Sequence, residues 1–414
     1  MAAEIDKPVV LAIFALTYLG IAVGRVPGLQ LDRTGIVLLG AIGVMVFGGL
    51  PTNAVIGLIQ WPTILLLFGF FVLSAQLRLS GLFDAIAGAV AGQLDRPRRF
   101  LALLMLATAG LSAFLNHDIV CFVFTPIVAA ALLQRRINPV PFLIALAIAS
   151  NIGAAATLVG NPQGMLIAQV AGLGFGPYLL WCLAPVMFAL VAAWALIGVL
   201  SRHQLAALPA TVPGPAALAA RQPLDRAHAA KGLVILALVV ALLFTSLPKE
   251  LVALTAAAVH LASPKFSTQA LLRLVDWPIL VLFMGLFVVT GAFQATGFGD
   301  TVVQTLAHAG LDLQVPAVLA LATTVLSNLV NNAAAVMLLL KVPGVTALPD
   351  AYVLALANSF GGSLLITGSV SNIIVVQQAR SLGITIGFRD YARLGIPVTL
   401  AALCGLLGWV VVAG

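Results

Sequence analysis

The chain has 414 residues, of which 62% are hydrophobic and only 8% are charged. Soluble domains contain about 25% charged residues, which argues against a water-soluble enzyme. The net charge of +7 does not indicate nucleic-acid binding, because the basic residues are scattered at the ends of apolar runs, as membrane topology requires. These runs are continuous rather than alternating, which excludes a transmembrane β-barrel and predicts an all-α polytopic membrane protein.

Apolar runs that could cross a bilayer, which takes about 20 residues, follow one another along the chain. They are 8–25, 34–50, 61–78, 100–134, 139–172, 176–200, 231–247, 249–262, 277–295, 313–342, 350–379 and 392–412. The more mixed segments 80–98 and 297–310 are typical of amphipathic helices at the membrane interface. The start MAAEIDKP lacks the basic character of a cleaved signal peptide, so we expect the first run to be retained as a helix.

One polar, proline-rich linker, 202–230, divides the chain near its midpoint. Its arginines predict that it lies in the cytoplasm. We therefore expect a first transmembrane repeat with the N-terminal helices over 1–201 and a second transmembrane repeat over 231–414. The expected location is the inner (plasma) membrane of the cell, crossed several times.

The two halves of the chain match in three blocks that occur in the same order. Residues 61–84 match 277–300 at a constant offset of 216, LSAFLNH at 111–117 matches LSNLVNN at 326–332, and 151–163 match 359–371. Polar residues and glycines coincide in these blocks, which indicates a structural duplication of the kind found in secondary transporters. Parallel and inverted repeats share this pattern, so the loop charges must distinguish them.

Run 100–134 is too long for one helix, and arginines flank it at both ends. The positive-inside rule places both ends in the cytoplasm, so the run must enter the membrane and return. Ser112, Asn116, His117 and Asp118 form its polar middle and are the predicted tip of a hairpin. Such a tip is tolerated at membrane depth only inside protein or beside a water-filled cavity.

The matching run 313–342 has Ser327, Asn328, Asn331 and Asn332 at its centre. We expect the asparagines to straddle a break at a second hairpin tip. Buried carboxamides are costly in lipid unless they bind a partner, so these residues are candidate ligands for a substrate. The alternative is that they form hydrogen bonds between helices.

Helix-disfavouring residues interrupt runs 139–172 and 350–379 at matching repeat positions. The first interruption contains Gly160, Asn161, Pro162 and Gly164, and the second contains Gly368, Ser369, Ser371 and Asn372. Half-helices that meet at such a break direct N–H groups at the gap, which favours an anion, and oxygens there can coordinate a cation. A simple kink is the alternative.

Asp118 is the only acidic residue near the centre of a long apolar run, whereas Asp84, Asp276 and Asp300 lie at predicted ends. A charge at membrane depth is costly, so Asp118 should be compensated or protonated. We therefore predict that Asp118 is the residue that couples transport to an ion and that His117 assists proton transfer. The alternatives are that Asp118 caps the second hairpin arm and that His117 is structural.

The two tips and two breaks, in this order, resemble the ion transporter superfamily over about residues 30–412. That superfamily contains divalent anion/sodium symporters, citrate transporters, arsenite pumps and some sodium/proton antiporters. Ser327-Asn328 resembles part of the Ser-Asn-Thr tip of the symporters. Asn116-His117-Asp118, followed by Thr125 to Val128, resembles a stretch of the arsenite pumps. Gly160–Gly164 and Gly368–Asn372 resemble the broken-helix loops of citrate-transporter-like permeases.

The resemblance implies two inverted repeats, each with a re-entrant hairpin and a broken transmembrane helix, in an elevator-type transporter that forms a homodimer in membrane lipid. The expected function is secondary active transport of a small anion or oxyanion, such as a carboxylate, coupled to Na⁺ or H⁺ without a further cofactor. The expected substrate ligands are Ser112, Asn116, Asn161, Ser327, Asn328, Asn331, Asn332, Gly368, Ser369 and Asn372. Na⁺ is expected near Asn116, Gly160, Asn331 and Gly368.

Two other transport functions fit the same motifs. One is an arsenite or antimonite efflux pump that exchanges As(OH)₃ for protons, which suits Asp118 and the lack of a basic residue at the tips. The other is a sodium/proton antiporter. A channel or a membrane enzyme would belong to a different class, and no nucleophile–base arrangement or nucleotide-binding loop supports an enzyme.

Overall fold

The computed structural model describes residues 6–24, 30–94, 96–202, 204, 222–308 and 310–413. The described residues form twenty α-helices and a short 3₁₀ turn, with no strand among them. Five of these helices are long and apolar enough to cross a membrane by length and composition. The prediction of an all-α polytopic protein is therefore confirmed. Most of the predicted linker, residues 205–221, lies outside the described residues.

The first ten helices precede the predicted linker. They are α1 Lys7–Val23, α2 Arg33–Phe47, α3 Thr52–Leu58, α4 Trp61–Leu79, α5 Leu82–Ala91, α6 Pro97–Phe114, α7 His117–Gln134, α8 Val140–Ala154, α9 Pro162–Val170 and α10 Phe175–Leu200. Aspartates cap α1 and α2, since Asp6 and Asp32 accept hydrogen bonds from the backbone N–H three residues on.

The second ten helices repeat this order. They are α11 Arg226–Leu242, α12 Lys249–Leu261, α13 Thr268–Leu272, α14 Trp277–Ala295, α15 Phe298–His308, α16 Pro316–Val330, α17 Asn332–Leu339, α18 Asp350–Gly361, α19 Val370–Ser381 and α20 Phe388–Ala413, with the 3₁₀ turn Ile366–Gly368 before α19. The longest helices agree in length between the halves, since α4 and α14 each have 19 residues and α10 and α20 each have 26, whereas α7 has 18 residues and α17 only 8.

The long apolar runs divide where the sequence predicts tips and breaks. Run 100–134 becomes α6 and α7, run 313–342 becomes α16 and α17, and the two interrupted runs become α8 with α9 and α18 with α19. The short helices α3 and α13 were not predicted. Helix α11 begins at Arg226, within the predicted linker 202–230.

Several helices of the first half pack directly on helices of the second half. Helix α2 packs on α14, α12 packs on α4, α7 packs on α19, and α10 packs on α20. Within each half, the first arm of the hairpin packs on the helix before the break, α6 on α8 and α16 on α18. Glycines allow these close approaches at matching positions, Gly153 against Ala109 and Gly361 against Thr324.

A tryptophan begins the long helix of each half. Trp61 and Trp277 are 43% and 47% exposed, and their indole N–H groups donate to the carbonyls of Ile56 and Leu272 at 3.2 and 2.9 Å. Half-exposed tryptophans of this kind are typical of the membrane–water interface. They indicate that α4 and α14 both start at a membrane surface.

Candidate functional site

The two hairpin tips and the two helix breaks meet around one small cavity. His117 and Asp118 line it from the first tip, and Asn331, Asn332 and Ala333 line it from the second. The remaining lining residues come from the two breaks and from α14: Pro162, Gln163, Ser369, Val370, Ile279, Leu282 and Phe283. The cavity measures about 30 Å³, which is room for about one or two water molecules. A larger solute therefore requires the surrounding helices to move apart.

A larger cavity of about 550 Å³ lies between α1 and helices α14 to α17. Its walls are almost entirely leucine, phenylalanine and valine, with Lys341, Gln294 and Thr290 as the polar exceptions. Such a lining suits a lipid chain better than a polar solute. The small cavity between the tips is therefore the candidate site.

Four helices begin at the small cavity, one from each tip and one from each break. Their first residues, His117 of α7, Pro162 of α9, Asn332 of α17 and Val370 of α19, all line it. Free N–H groups and the positive end of the helix dipole stabilise negative charge at such termini. The described residues that line the cavity include no lysine or arginine, so these termini and Asp118 dominate its electrostatics.

At the first tip, Asn116 rather than Asp118 caps helix α7. The Oδ1 atom of Asn116 accepts from the N–H of Asp118 at 2.9 Å, and the N–H of Asn116 donates to Oγ of Ser74 at 3.3 Å. The alternative in which Asp118 is the cap is therefore wrong. Asn116, a predicted substrate ligand, is buried but does not line the cavity in this conformation.

Asp118 connects the first tip to the second break. The Oγ atom of Ser371 in α19 donates to Oδ1 of Asp118 at 2.8 Å, and Nε2 of His117 lies 3.6 Å from the same oxygen. Ser369 extends this chain by donating to Oγ of Ser371 at 3.3 Å. Asp118 is 6% exposed, so it is a buried carboxylate at the cavity wall. The Nδ1 atom of His117 has no hydrogen-bond partner among the described residues.

Ser112 lies behind the first tip. Its Oγ donates to Oγ of Ser150 at 3.3 Å, and Ser150 donates to the carbonyl of His117 at 3.3 Å. Ser112 therefore supports the tip from the α8 side and is not among the residues that line the cavity.

At the first break, the side chain of Asn161 caps α9 and also reaches the other half. Its Oδ1 accepts from the N–H of Gly164 at 2.6 Å, and its Nδ2 donates to Oγ of Ser359 in α18 at 2.9 Å. Pro162 is the first residue of α9, and Gly164 lies in the first turn of α9 rather than in the break. Gln163, which we did not predict, lines the cavity.

At the second tip, α16 ends at Val330 and the chain reverses at Asn331, whose φ of +86° is rare for a residue with a side chain. Asn331 caps α17 by accepting from the N–H of Ala333 at 3.1 Å. Asn332 is 7% exposed, and its Oδ1 has no hydrogen-bond partner in the described part of the chain. A buried, unpaired amide oxygen that lines the cavity is positioned for a ligand.

The other two predicted residues of this tip face α16 and α18. Ser327 donates within its own helix to the carbonyl of Thr323 at 2.7 Å. The Nδ2 atom of Asn328 donates to the carbonyls of Thr324 and Gly361 at 2.9 and 2.8 Å, while its Oδ1 lacks a partner among the described residues. Neither side chain lines the cavity.

At the second break, the side chain of Asn372 forms hydrogen bonds with protein groups on both sides of the break. Its Nδ2 donates to the carbonyls of Gly362 and Leu365 at 2.7 and 3.0 Å, and its Oδ1 accepts from Asn151 of α8 at 2.9 Å. Asn372 therefore braces the break and does not line the cavity. Ser369 lines the cavity, and α19 begins without a side-chain cap.

Asn151 and Gln163 are the site residues that the sequence did not lead us to predict. Asn151 matches Ser359 in the repeat alignment, and each of them forms a hydrogen bond to the broken helix of the other half. The alignment could have identified this pair, because both positions are polar within apolar helices. Ser371 was predicted only as part of the second interruption, and its hydrogen bond to Asp118 gives it a place in the site.

We predict that Gly160→Ala destabilises the protein by about 1–3 kcal/mol, because an added side-chain atom would lie 2.7 Å from the carbonyl oxygen of Ser112 and would also meet the backbone of Ala154. Thermal unfolding of the purified protein in detergent measures the effect. Gly110→Ala in α6 is the control, since no atom lies within 4 Å of its added methyl group. An unfolding temperature for Gly160→Ala at or above that of the wild type would contradict the close contact.

Comparison with known proteins identifies the family. The sequence profile of the citrate transporter family (CitMHS) matches residues 9–349. The chain is 31% identical over 430 residues to a 46 kDa membrane protein of Mycobacterium leprae, covering 97% of this chain and 98% of that protein. It is also 34% identical over 164 residues to the silicon efflux transporter LSI3 of rice, Oryza sativa, covering 40% of this chain and 34% of that protein.

The fold is also similar to that of a solved transporter. The crystal structure of the YdaH transporter of Alcanivorax borkumensis aligns with a TM-score of 0.57 at 18% identity and covers 97% of both chains. This likeness concerns the fold alone. The profile match and the M. leprae relative identify the family: the chain belongs to the citrate transporter family of the ion transporter superfamily and is a multi-pass membrane transporter rather than an enzyme.

Proposed function

We propose that this protein is a secondary active carrier of a small anion or oxyanion, coupled to H⁺ or Na⁺ through Asp118. The observation that carries the proposal is the buried Asp118 carboxylate in a cavity where four helices begin and which no described lysine or arginine lines. The helix termini attract an anion, whereas Asp118 repels it while ionised. Protonation or a bound cation removes that repulsion, so the anion and the coupling cation bind together.

The substrate contacts that the geometry favours are fewer than the sequence predicts. Asn332 offers a free amide oxygen, which accepts a hydrogen bond from a hydroxyl group of the substrate, and the side chains of Ser369 and Gln163, which can donate, line the cavity beside it. The backbone N–H groups at the starts of α17 and α19 supply further donors for oxygen atoms of the substrate. Such a set of neutral donors binds an anion weakly and reversibly, as a carrier requires.

For Na⁺, the geometry favours the surroundings of Gly368 over Asn116 and Asn331. A side-chain atom on Gly368 would lie 2.5 Å from Oδ1 of Asn328 and 2.9 Å from the carbonyl oxygen of Gly362, so two oxygens approach this point. The Oδ1 atoms of Asn116 and Asn331 are instead used as helix caps. We therefore propose Asn328 as a sodium ligand rather than a substrate ligand.

A second candidate function is the efflux of a small neutral hydroxide such as As(OH)₃ in exchange for protons. The cavity of about 30 Å³ and the lack of a basic lining residue among those described favour a compact, uncharged solute. The likeness of parts of the chain to the silicon efflux transporter of rice and to a putative transporter arsB of Dictyostelium discoideum points the same way. In this case Asp118 carries the exchanged proton, and no cation has to bind together with an anionic substrate.

Binding and transport measurements distinguish these functions. Thermal unfolding is followed with carboxylates, phosphate, sulfate, arsenite and antimonite, each with and without Na⁺, because a ligand of the folded state raises its stability. Compounds that stabilise the protein are then tested for uptake into proteoliposomes driven by a pH or Na⁺ gradient. Stabilisation by an anion with Na⁺ or at low pH supports the first function, and stabilisation by arsenite or antimonite supports the second. Cation exchange without any substrate would support an antiporter and overturn both.

We also propose that the two halves have inverted topology, that the carrier moves as an elevator within a homodimer, and that it lies in the plasma membrane. The topology can be tested with cysteines introduced at the exposed positions Arg135 and Asp312, after the exposed Cys404 is replaced by alanine. A membrane-impermeant thiol reagent should label Arg135→Cys and Asp312→Cys from opposite sides. Labelling of both from the same side would contradict the inverted arrangement.

A further inference from the structure

A second polar cavity lies beside the candidate site, between α14 and the ends of α9 and α17. It measures about 60 Å³, and we call it the outer cavity. Gln60, Thr290 and Lys341 are its polar lining residues in the described part of the chain. Gln60 and Lys341 are exposed, and Gln60 directly precedes Trp61, which marks a membrane surface. The outer cavity therefore lies near that surface.

The same three helices wall the small cavity and the outer cavity. On α14, Phe283 lines the small cavity and Phe287 lines the outer one, with 6.4 Å between their ring centroids. The equivalent pairs are Gln163 and Leu166 on α9, and Ala333 and Met337 on α17. The members of each pair are three or four residues apart, so one helical turn, about 5.4 Å, separates the two cavities. A solute in the outer cavity therefore needs only a small movement of these side chains to reach the candidate site.

Lys341 is the only basic residue among the described residues that line either cavity. It follows α17, whose first residue Asn332 lines the small cavity, so the two residues lie about 14 Å apart along the helix axis. The ammonium group of Lys341 forms no salt bridge or hydrogen bond within the described part of the chain. A cation of this kind at a cavity mouth raises the local concentration of anions.

The two cavities contain opposite charges. The small cavity contains the carboxylate of Asp118, and the outer cavity contains Lys341 but no acidic residue among those described. The hydroxyl of Thr290 is already used, because it donates to the carbonyl of Leu286 at 2.6 Å. The ammonium group of Lys341 has three donors, and the amide of Gln60 can supply another. The outer cavity can therefore bind the oxygen atoms of an anion.

An anionic lipid headgroup is the competing partner for Lys341, because Lys341 also lines the large apolar cavity. The walls of the three cavities favour the substrate. Helix α9 lines the small cavity and the outer cavity, but none of its residues lines the apolar one. The outer cavity is thus continuous in its walls with the candidate site rather than with the apolar cavity alone.

We propose that the outer cavity is the entrance through which the anionic substrate reaches the small cavity, and that Lys341 binds the anion there. Phe283 and Phe287 then move aside and admit the anion to the four helix termini. This inference rests on the proposed transport of an anion. Lys341 selects anions over neutral solutes in this scheme, whereas coupling to the cation remains the task of Asp118.

Charge-selective labelling tests the anion site without knowledge of the substrate. Val170 lines the outer cavity and is 39% exposed, so thiosulfonate reagents can reach Val170→Cys once Cys404→Ala has removed the exposed native cysteine. The measured quantity is the ratio of labelling rates for a negatively charged and a positively charged reagent. Lys341→Gln should lower this ratio about tenfold at Val170→Cys. At Asn53→Cys, an exposed control in α3 that does not line the cavity, the ratio should not change.

Transport is measured in proteoliposomes with labelled citrate, phosphate or sulfate, whichever anion stabilises the wild type in thermal unfolding. Lys341→Gln should raise KM about tenfold, with the maximal rate and the number of cations per anion unchanged, because Lys341 attracts the anion but does not couple it. Lys341→Arg should restore the KM. High salt should raise the KM of the wild type towards that of Lys341→Gln, since salt screens an exposed charge. Lys7→Gln, which removes an exposed lysine at the start of α1 outside the cavity, is the matched control and should behave like the wild type.

Three results would overturn the inference and leave the proposed function intact when Asp118→Asn is uncoupled. The first is a labelling ratio at Val170→Cys that Lys341→Gln does not change. The second is a wild-type KM in Lys341→Gln, which would make Lys341 an anchor at the membrane surface. The third is an effect of Lys341→Gln that appears only in vesicles containing anionic lipid, which would assign Lys341 to a lipid headgroup. A wild type that transports none of the three anions would overturn the inference together with the proposed anion transport.

Discussion

Asp118→Asn should fold and bind substrate but lose accumulation against a gradient. The amide oxygen can still accept from Ser371, which holds the side chain at 2.8 Å in the wild type, and Asn116 still caps α7. An amide cannot titrate or attract a cation, so substrate would only equilibrate across the membrane. The loss of the carboxylate's interaction with the helix dipole costs about 1 kcal/mol or less in folding free energy.

The measurement is uptake of labelled substrate into proteoliposomes with and without an imposed H⁺ or Na⁺ gradient. Ser371→Ala is a matched variant, since it removes the hydrogen bond at Asp118 but leaves the carboxylate. It should keep coupling and change only the pH or Na⁺ concentration at which transport is half-maximal. A wild-type coupling ratio in Asp118→Asn would eliminate Asp118 as the coupling residue.

Asn332→Ala should reduce transport at low substrate concentration by about tenfold or more while leaving the fold intact. The Oδ1 atom of Asn332 has no partner among the described residues, so its removal breaks no hydrogen bond made through that oxygen. Substrate would lose a buried hydrogen bond worth about 1–3 kcal/mol, and 1.4 kcal/mol is a factor of ten in affinity. Substrate affinity and thermal unfolding are measured on the same preparation.

Asn372→Ala, in contrast to Asn332→Ala, should lower the stability of the protein. It would leave the carbonyls of Gly362 and Leu365 without the amide that they accept from, so we expect a loss of about 1–3 kcal/mol in stability. If Asn332→Ala transports normally, or if it is destabilised as much as Asn372→Ala, then Asn332 is a packing residue and not a ligand.

The sequence predicts the elements of this fold well because the membrane imposes strong constraints. Run 277–295 is helix α14 residue for residue, and the polar centres of the long runs coincide with the helix ends at 114 and 330. A polar tip and a glycine-rich break are visible in an apolar chain without knowledge of the contacts. Short helices such as α3 and α13 lack that contrast and were missed.

The assignment of individual asparagines could not be predicted in the same way. An asparagine at a helix start can cap the helix or bind a ligand, and both roles use the same amide oxygen. Asn116, Asn161 and Asn331 are caps, whereas Asn332, the neighbour of one of them, has a free oxygen. The choice depends on backbone angles, such as the φ of +86° at Asn331, and on contacts between the halves, such as Asn161 with Ser359.

We expect the negative charge of Asp118 to be neutralised, by a proton or by a bound Na⁺, when substrate binds, and infrared difference spectroscopy of the purified protein measures this change. Spectra are recorded before and after addition of substrate, in acidic buffer and in buffer that contains Na⁺, for the wild type and Asp118→Asn. We expect a change in a carboxyl or carboxylate band on binding in the wild type that is missing in Asp118→Asn. An identical difference spectrum in both proteins would contradict it.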